Sequence, residues 1–100
     1  GVEAAKQMGD QALEASFAST LGLHELINGN PELAQGYLVL AEDSAPATYY
    51  PLILEAALAS RQGEPARAAE LFSQARRLAA DRWSTQDEQW VALFSASSPG

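Results

Sequence analysis

The sequence predicts an all-α fold built as an array of helical hairpins, and three observations carry that reading. Ala and Leu dominate a hydrophobic content of 47% in which Val and Ile are few, the composition of packed helices rather than of sheets. Apolar residues recur at helical spacing in Leu13, Phe17, Leu21 and Ile27, with mostly polar residues between them. The third observation is an internal echo: NGNPELAQGYLVLA at 28–41 is answered by QGEPARAAELFSQA at 62–75. Gly29 and Gly63, Pro31 and Pro65, Ala34 and Ala68, and Ala41 and Ala75 are each 34 residues apart. One offset shared by four matches is the signature of repeated units. At 100 residues the chain makes one domain.

Each element has its own signals. The first helix runs through Leu13, Phe17, Leu21, His24 and Ile27, with Asp10 able to cap it and Gly29 able to end it. Residues 2–8 suggest an extra short helix before Gly9. Asn30 and Pro31 start the second helix, Asn as the cap and Pro at the first position, where its missing N–H is no loss. It passes Leu33, Tyr37, Leu40 and Ala41 to about Asp43, and SAPAT breaks the pattern. Tyr49, Tyr50 and Pro51 open a third helix through Leu54 and Leu58 that stops at Gly63. Pro65 opens a fourth through Ala68, Leu71, Phe72, Ala75 and Leu78, with Arg76 and Arg77 where the helix dipole favours cations. Thr85-Gln86-Asp87-Glu88 has the form of a capping box and starts a fifth helix with Trp90, Val91, Leu93 and Phe94.

A net charge of −7 repels the phosphate backbone and an anionic membrane surface, so no nucleic-acid partner and no membrane insertion is expected. Acidity is concentrated in residues 1–60, where Glu3, Asp10, Glu14, Glu25, Glu32, Glu42, Asp43 and Glu55 face Lys6 alone. Residues 61–82 hold Arg61, Arg67, Arg76, Arg77 and Arg82. The plain account of these charges is solvated helix faces with pairs four apart. Absence of cysteine excludes disulfides and thiolate metal sites and suits cytoplasm and periplasm alike. No apolar run approaches the roughly 20 residues of a membrane span, and residues 1–20 lack the form of a signal peptide. Gly1 reads as a remnant of cloning and SASSPG as a solvated tail or linker, which makes the chain an excerpt of a larger protein.

A helix-turn-helix unit of 34 residues with small residues where its helices cross resembles the tetratricopeptide repeat (TPR) family, in a bacterial-type form. The first unit, about 15–48, matches at Leu21-Gly22, Ala34, Leu38, Ala41 and Pro46, and departs at Ala18 and Glu25. The second, about 49–82, matches at Leu52, Ala56, Ala59, Ala68, Phe72 and Ala75, with Glu55 in place of the leucine and Ala80 in place of the proline. Gly22 with Ala34, and Ala56 with Ala68, let paired helix backbones approach to about 8–10 Å. The offset predicts a small residue at 90, and Trp90 stands there instead, so 85–96 reads as a cap helix over the last repeat.

Catalysis is not expected. His24 is the only histidine, its neighbour Glu25 points to another side of the helix, and a packed or half-exposed helix position is its plain reading. No metal is expected, because a site would need partners for His24 that the chain hardly offers, and no cofactor, because the glycines stand singly at helix ends rather than in a phosphate-cradling loop. The resemblance implies instead a non-catalytic protein- or peptide-binding module, a scaffold or adaptor. In that family the first helix of each pair lines a concave surface, which here implies Ser16, Ser19, Leu23, Leu26 and Ile27, then Tyr50, Ile53, Ala57, Ser60 and Arg61, then Asp87, Val91 and Phe94. The implied peptide-binding set is Leu23, Leu26, Ile27, Tyr50, Ile53, Arg61, Val91 and Phe94, although Leu23, Ile27 and Ile53 could equally fill the seam between units. Tyr50 and Phe94 are the strongest contact candidates, since aromatics offer large area at low entropic cost. Some family members hold a partner's C-terminal carboxylate with Lys and Asn; the corresponding places here include Ser19, Leu23, Ile53 and Ala57, which argues against that mode. The expected partner is a peptide with apolar anchors and basic flanks. The alternative is a structural or dimerisation segment of a longer helical array, with a homodimer through residues 1–28, because two repeats fall below the ~3 that usually bury a continuous core.

Overall fold

A computed structural model describes residues 2–44 and 48–95, with side chains for 13–43 and 48–95. The described residues are helical: α1 Val2–Ile27, α2 Pro31–Ser44, α3 Tyr50–Arg61, α4 Pro65–Ala79, a short 3₁₀ turn Ala80–Arg82, and α5 Thr85–Ser95. The closing Pro46 and the tail from residue 96 lie outside the described residues.

The turns show how the sequence makes hairpins. Gly29 and Gly63 take φ of 83° and 81°, a conformation a side chain resists. Around Gly29, the Asn30 amide reaches the Glu25 carbonyl at 2.8 Å and the Gly29 amide reaches that of Leu26 at 3.1 Å. The Glu64 amide reaches Ala59 at 2.9 Å and the Gly63 amide reaches Ser60 at 3.2 Å, which is the same pair of bonds one offset later. Both are Schellman endings, which satisfy the last carbonyls of a helix and reverse the chain. Pro31 and Pro65 then begin the return helices.

α1 packs on α2 and α3, α2 on α3, α3 on α4 and α5, and α4 on α5. The central position of α3 explains its composition: Pro51, Ile53, Leu54, Ala56, Ala57, Leu58 and Ala59 are all buried, and a helix apolar on every side belongs inside. α4 buries one stripe only, Ala68, Leu71, Phe72, Ala75 and Ala79. Gly22 sits where α1 is crowded by its neighbours. A Cβ added there would lie 2.5 Å from Leu54 Cδ2 and 3.2 Å from Tyr37 Cβ.

Three expectations need correction. α1 is continuous through Gly9 and Asp10, so there is no separate helix over 2–8 and Asp10 is not its cap; a glycine inside a helix costs about 1 kcal/mol against alanine, which weakens a helix without ending it. The capping box before α5 is shifted by one residue: Ser84 Oγ accepts from the Asp87 amide at 3.1 Å while Asp87 Oδ2 accepts from the Ser84 amide at 3.0 Å. Asn30 does not lend its side chain to α2 as expected; its carboxamide donates to Glu25 Oε2 at 3.1 Å, and its backbone carbonyl accepts from Ala34.

Candidate functional site

A cavity of about 200 Å³ opens where α1, α3 and α5 converge. Leu23 and Ile53, each 2% exposed, belong to the hydrophobic core and form its floor. Ser16, Ser19 and Thr20 come from α1, Tyr50 from the first turn of α3, and Ser84, Asp87 and Trp90 from the start of α5. Helical spacing makes this set: residues three and four apart on one helix share a face, so Ser16, Ser19 and Leu23 do, as do Tyr50 and Ile53, and Asp87 and Trp90. Outside the lining, the His24 ring of α1 stands edge-on to Trp90 with centroids 5.5 Å apart and planes at 87°.

Tyr49 and Asp87 form the polar joint beneath one wall. The Tyr49 hydroxyl lies 3.2 Å from Asp87 Oδ2 and 3.4 Å from the Arg82 carbonyl, so one proton is shared between two acceptors. This joins the start of α3 to the 3₁₀ turn and to α5. Burial first, then hydrogen bonding with Tyr50 and the charge of Asp87, holds the Tyr49 phenol well above its ordinary range, so it stays a donor. The Tyr49 ring stacks on Tyr50 with centroids 4.3 Å apart. On the outer side, Trp83 Nε1 donates to Glu88 Oε2 at 2.8 Å and Arg76 pairs with Glu88 Oε1 at 2.7 Å. Those bonds, that of Trp83 foremost, hold the Glu88 carboxyl below its usual range.

The residues named from sequence separate into groups. Leu23, Tyr50 and Ile53 line the cavity. Leu26 is buried at 4% and belongs to the core beneath. Ile27 and Arg61 are exposed at the far ends of α1 and α3, and Val91 is half-buried on α5. Phe94, expected as a contact aromatic, is 1% exposed and therefore a core plug rather than a surface. Its carbonyl accepts from Ser60 Oγ at 2.6 Å, and the Arg61 guanidinium covers its ring at 5.2 Å. Beside Tyr50, the aromatic on the cavity is Trp90, which with Thr20, Ser84 and Gln86 is absent from the surface expected from sequence. The sequence sets Trp90 apart only as a large residue where the offset calls for a small one at a helix crossing.

Among the described residues no group of three or more His, Cys, Asp and Glu is placed to hold a metal ion, and no helix is long and apolar enough to cross a membrane. Comparison with protein-family models, curated proteins and solved structures gives no match.

Proposed function

We propose that the chain is a TPR-like module, two helical hairpins and a cap helix, that binds a protein or peptide segment without chemistry of its own. The observation that carries this reading is the open cavity at the meeting of the first helix of each hairpin with α5, floored by Leu23 and Ile53 and walled by Tyr50 and Trp90. The packing order, in which each helix touches the next two in the chain except where α2 and α4 lie apart, supports this reading. Both turns use the same bonds at the 34-residue offset, which supports the same reading. A partner with apolar anchors and basic residues suits a groove of this lining in a chain of charge −7. Peptide selection against the chain, repeated with Tyr50→Ala, tests the reading: the variant should lose about 1–2 kcal/mol of binding while remaining folded at the assay temperature. Equal affinity for the two proteins would place the site elsewhere.

A second reading is favoured by a different observation. Leu13 and Phe17, one turn apart on α1, are 70% and 67% exposed, and Leu33 and Leu40 of α2 are 57% and 46% exposed. Exposed apolar side chains of this kind suit another helical hairpin, supplied by a longer array or by a second copy in a homodimer. Sedimentation at micromolar concentration tests the homodimer: a dimer that Phe17→Glu converts to monomer supports it, and a monomeric native chain rejects it.

A further inference from the structure

Asp87 is 5% exposed, yet the ion pairs among the described residues pass it by: Arg67 joins Glu55 and Glu64, and Arg76 joins Glu88. Its Oδ2 is served by two neutral donors, the Ser84 amide and the Tyr49 hydroxyl. A carboxylate withdrawn from water without a cation beside it is an expensive arrangement, and proteins ordinarily relieve it by pairing. The same cavity holds a second unanswered polar group. Ser19 is 2% exposed and its Oγ has no hydrogen-bond partner. Tyr50 and Trp90 are both in its lining, and aromatic faces attract cations. Among the described residues no Lys or Arg lines the cavity. At about 200 Å³ it is below the ~300–1,000 Å³ of sites for drug-sized ligands and suits one long side chain.

We propose that this cavity is a subsite for a cation carried on an alkyl stem, the Lys or Arg side chain of a bound peptide. Asp87 supplies the counter-charge, the Ser19 hydroxyl accepts a hydrogen bond from the cation, and Tyr50 and Trp90 flank the stem. The proposal rests on the peptide-binding reading and gives it a chemical selectivity opposite in sign to carboxylate capture. The acidic first 60 residues, eight carboxylates against Lys6, add long-range attraction for the same ligands.

The test is an amide-shift titration of the 100-residue chain with n-butylammonium and n-butylguanidinium, against n-butanol and butyrate as neutral and anionic controls. Both cations should saturably shift the amides of Ser19 and Asp87 and the Trp90 indole N–H, with affinities at least about tenfold above those of either control. The tighter of the two cations identifies the side chain as Lys or Arg. Asp87→Asn keeps an acceptor for the Ser84 amide while removing the charge, and it should erase the preference for cation over butanol. Ser19→Ala should weaken both cations about three- to tenfold without lowering the melting temperature, because its hydroxyl has no partner to lose. Butanol shifting the same resonances as strongly as the cations, or no saturable shift with either cation, overturns the proposal. If the cations fail while a selected peptide still occupies the groove, the subsite alone falls; if the cations bind and no peptide does, the subsite stands and the peptide reading falls.

Discussion

The two ends of the helical stack solve the same problem differently. At the C-terminal end α5 lies over α3, buries Phe94 to 1% exposure, and is fastened by Ser60, by Arg61 and by the Tyr49–Asp87 joint. At the other end α1 has α2 and α3 behind it, while Leu13 and Phe17 face solvent. The 34-residue offset makes the comparison sharp, because Phe17 occupies in the first hairpin the place that Pro51 occupies in the second. Pro51 is buried and Phe17 is 67% exposed. The described residues thus cover apolar side chains at the α5 end and leave Leu13 and Phe17 in solvent at the α1 end.

The largest predicted effect contrasts two phenylalanines. Phe94→Ala should cost about 3–5 kcal/mol of stability by emptying the plug beneath α5, whereas Phe17→Ala should stay within about 0.5 kcal/mol in the monomer. Denaturant unfolding of both variants at low protein concentration checks this. A large loss at Phe17 would mean that another chain covers the N-terminal end, which sharpens the comparison into a statement about assembly.

Next in size are the contacts inside the stack. Gly22→Leu should cost about 1–3 kcal/mol, because even its Cβ would press on Leu54 and Tyr37, and Ala68→Leu should act similarly between α3 and α4. Thermal melts with either variant unchanged would break the alignment of the two hairpins.

The smallest effect has the opposite sign. Ala80, which follows α4, has φ of 53° and ψ of −121°, a conformation that glycine adopts freely and alanine does not. Ala80→Gly should therefore stabilise the chain by about 1 kcal/mol, seen as a higher midpoint in urea. A lower midpoint would show that flexibility gained in the unfolded chain outweighs the relief of strain.

Local signals made most of the fold legible. Gly29, Pro31, Gly63 and Pro65 mark the hairpin turns by conformational limits that act within a few residues, so the sequence alone locates them. α1 was harder, since Gly9 and Asp10 look like an interruption and the helix runs through them. The Ser84–Asp87 cap and the Thr85–Glu88 alternative have the same pattern one residue apart, and the choice was made by tertiary partners: Tyr49 binds Asp87 while Trp83 and Arg76 take Glu88. The site was legible in part for the same reason. Periodicity puts Leu23, Tyr50 and Ile53 on inner faces and Trp90 and Phe94 on one face of α5, but which of those two plugs the core and which borders the cavity depends on where α5 is seated along α3, a relation between residues more than 30 apart.

The most direct test of the binding account is to map where selected peptides sit. A peptide library selected against the native chain and read by amide shifts should perturb residues 16–24, 50–57 and 84–91, the three segments that meet at the cavity, and should leave the outer faces of α2 and α4 unchanged. Peptides that map to α2 and α4, or selection that yields none above background, would contradict it.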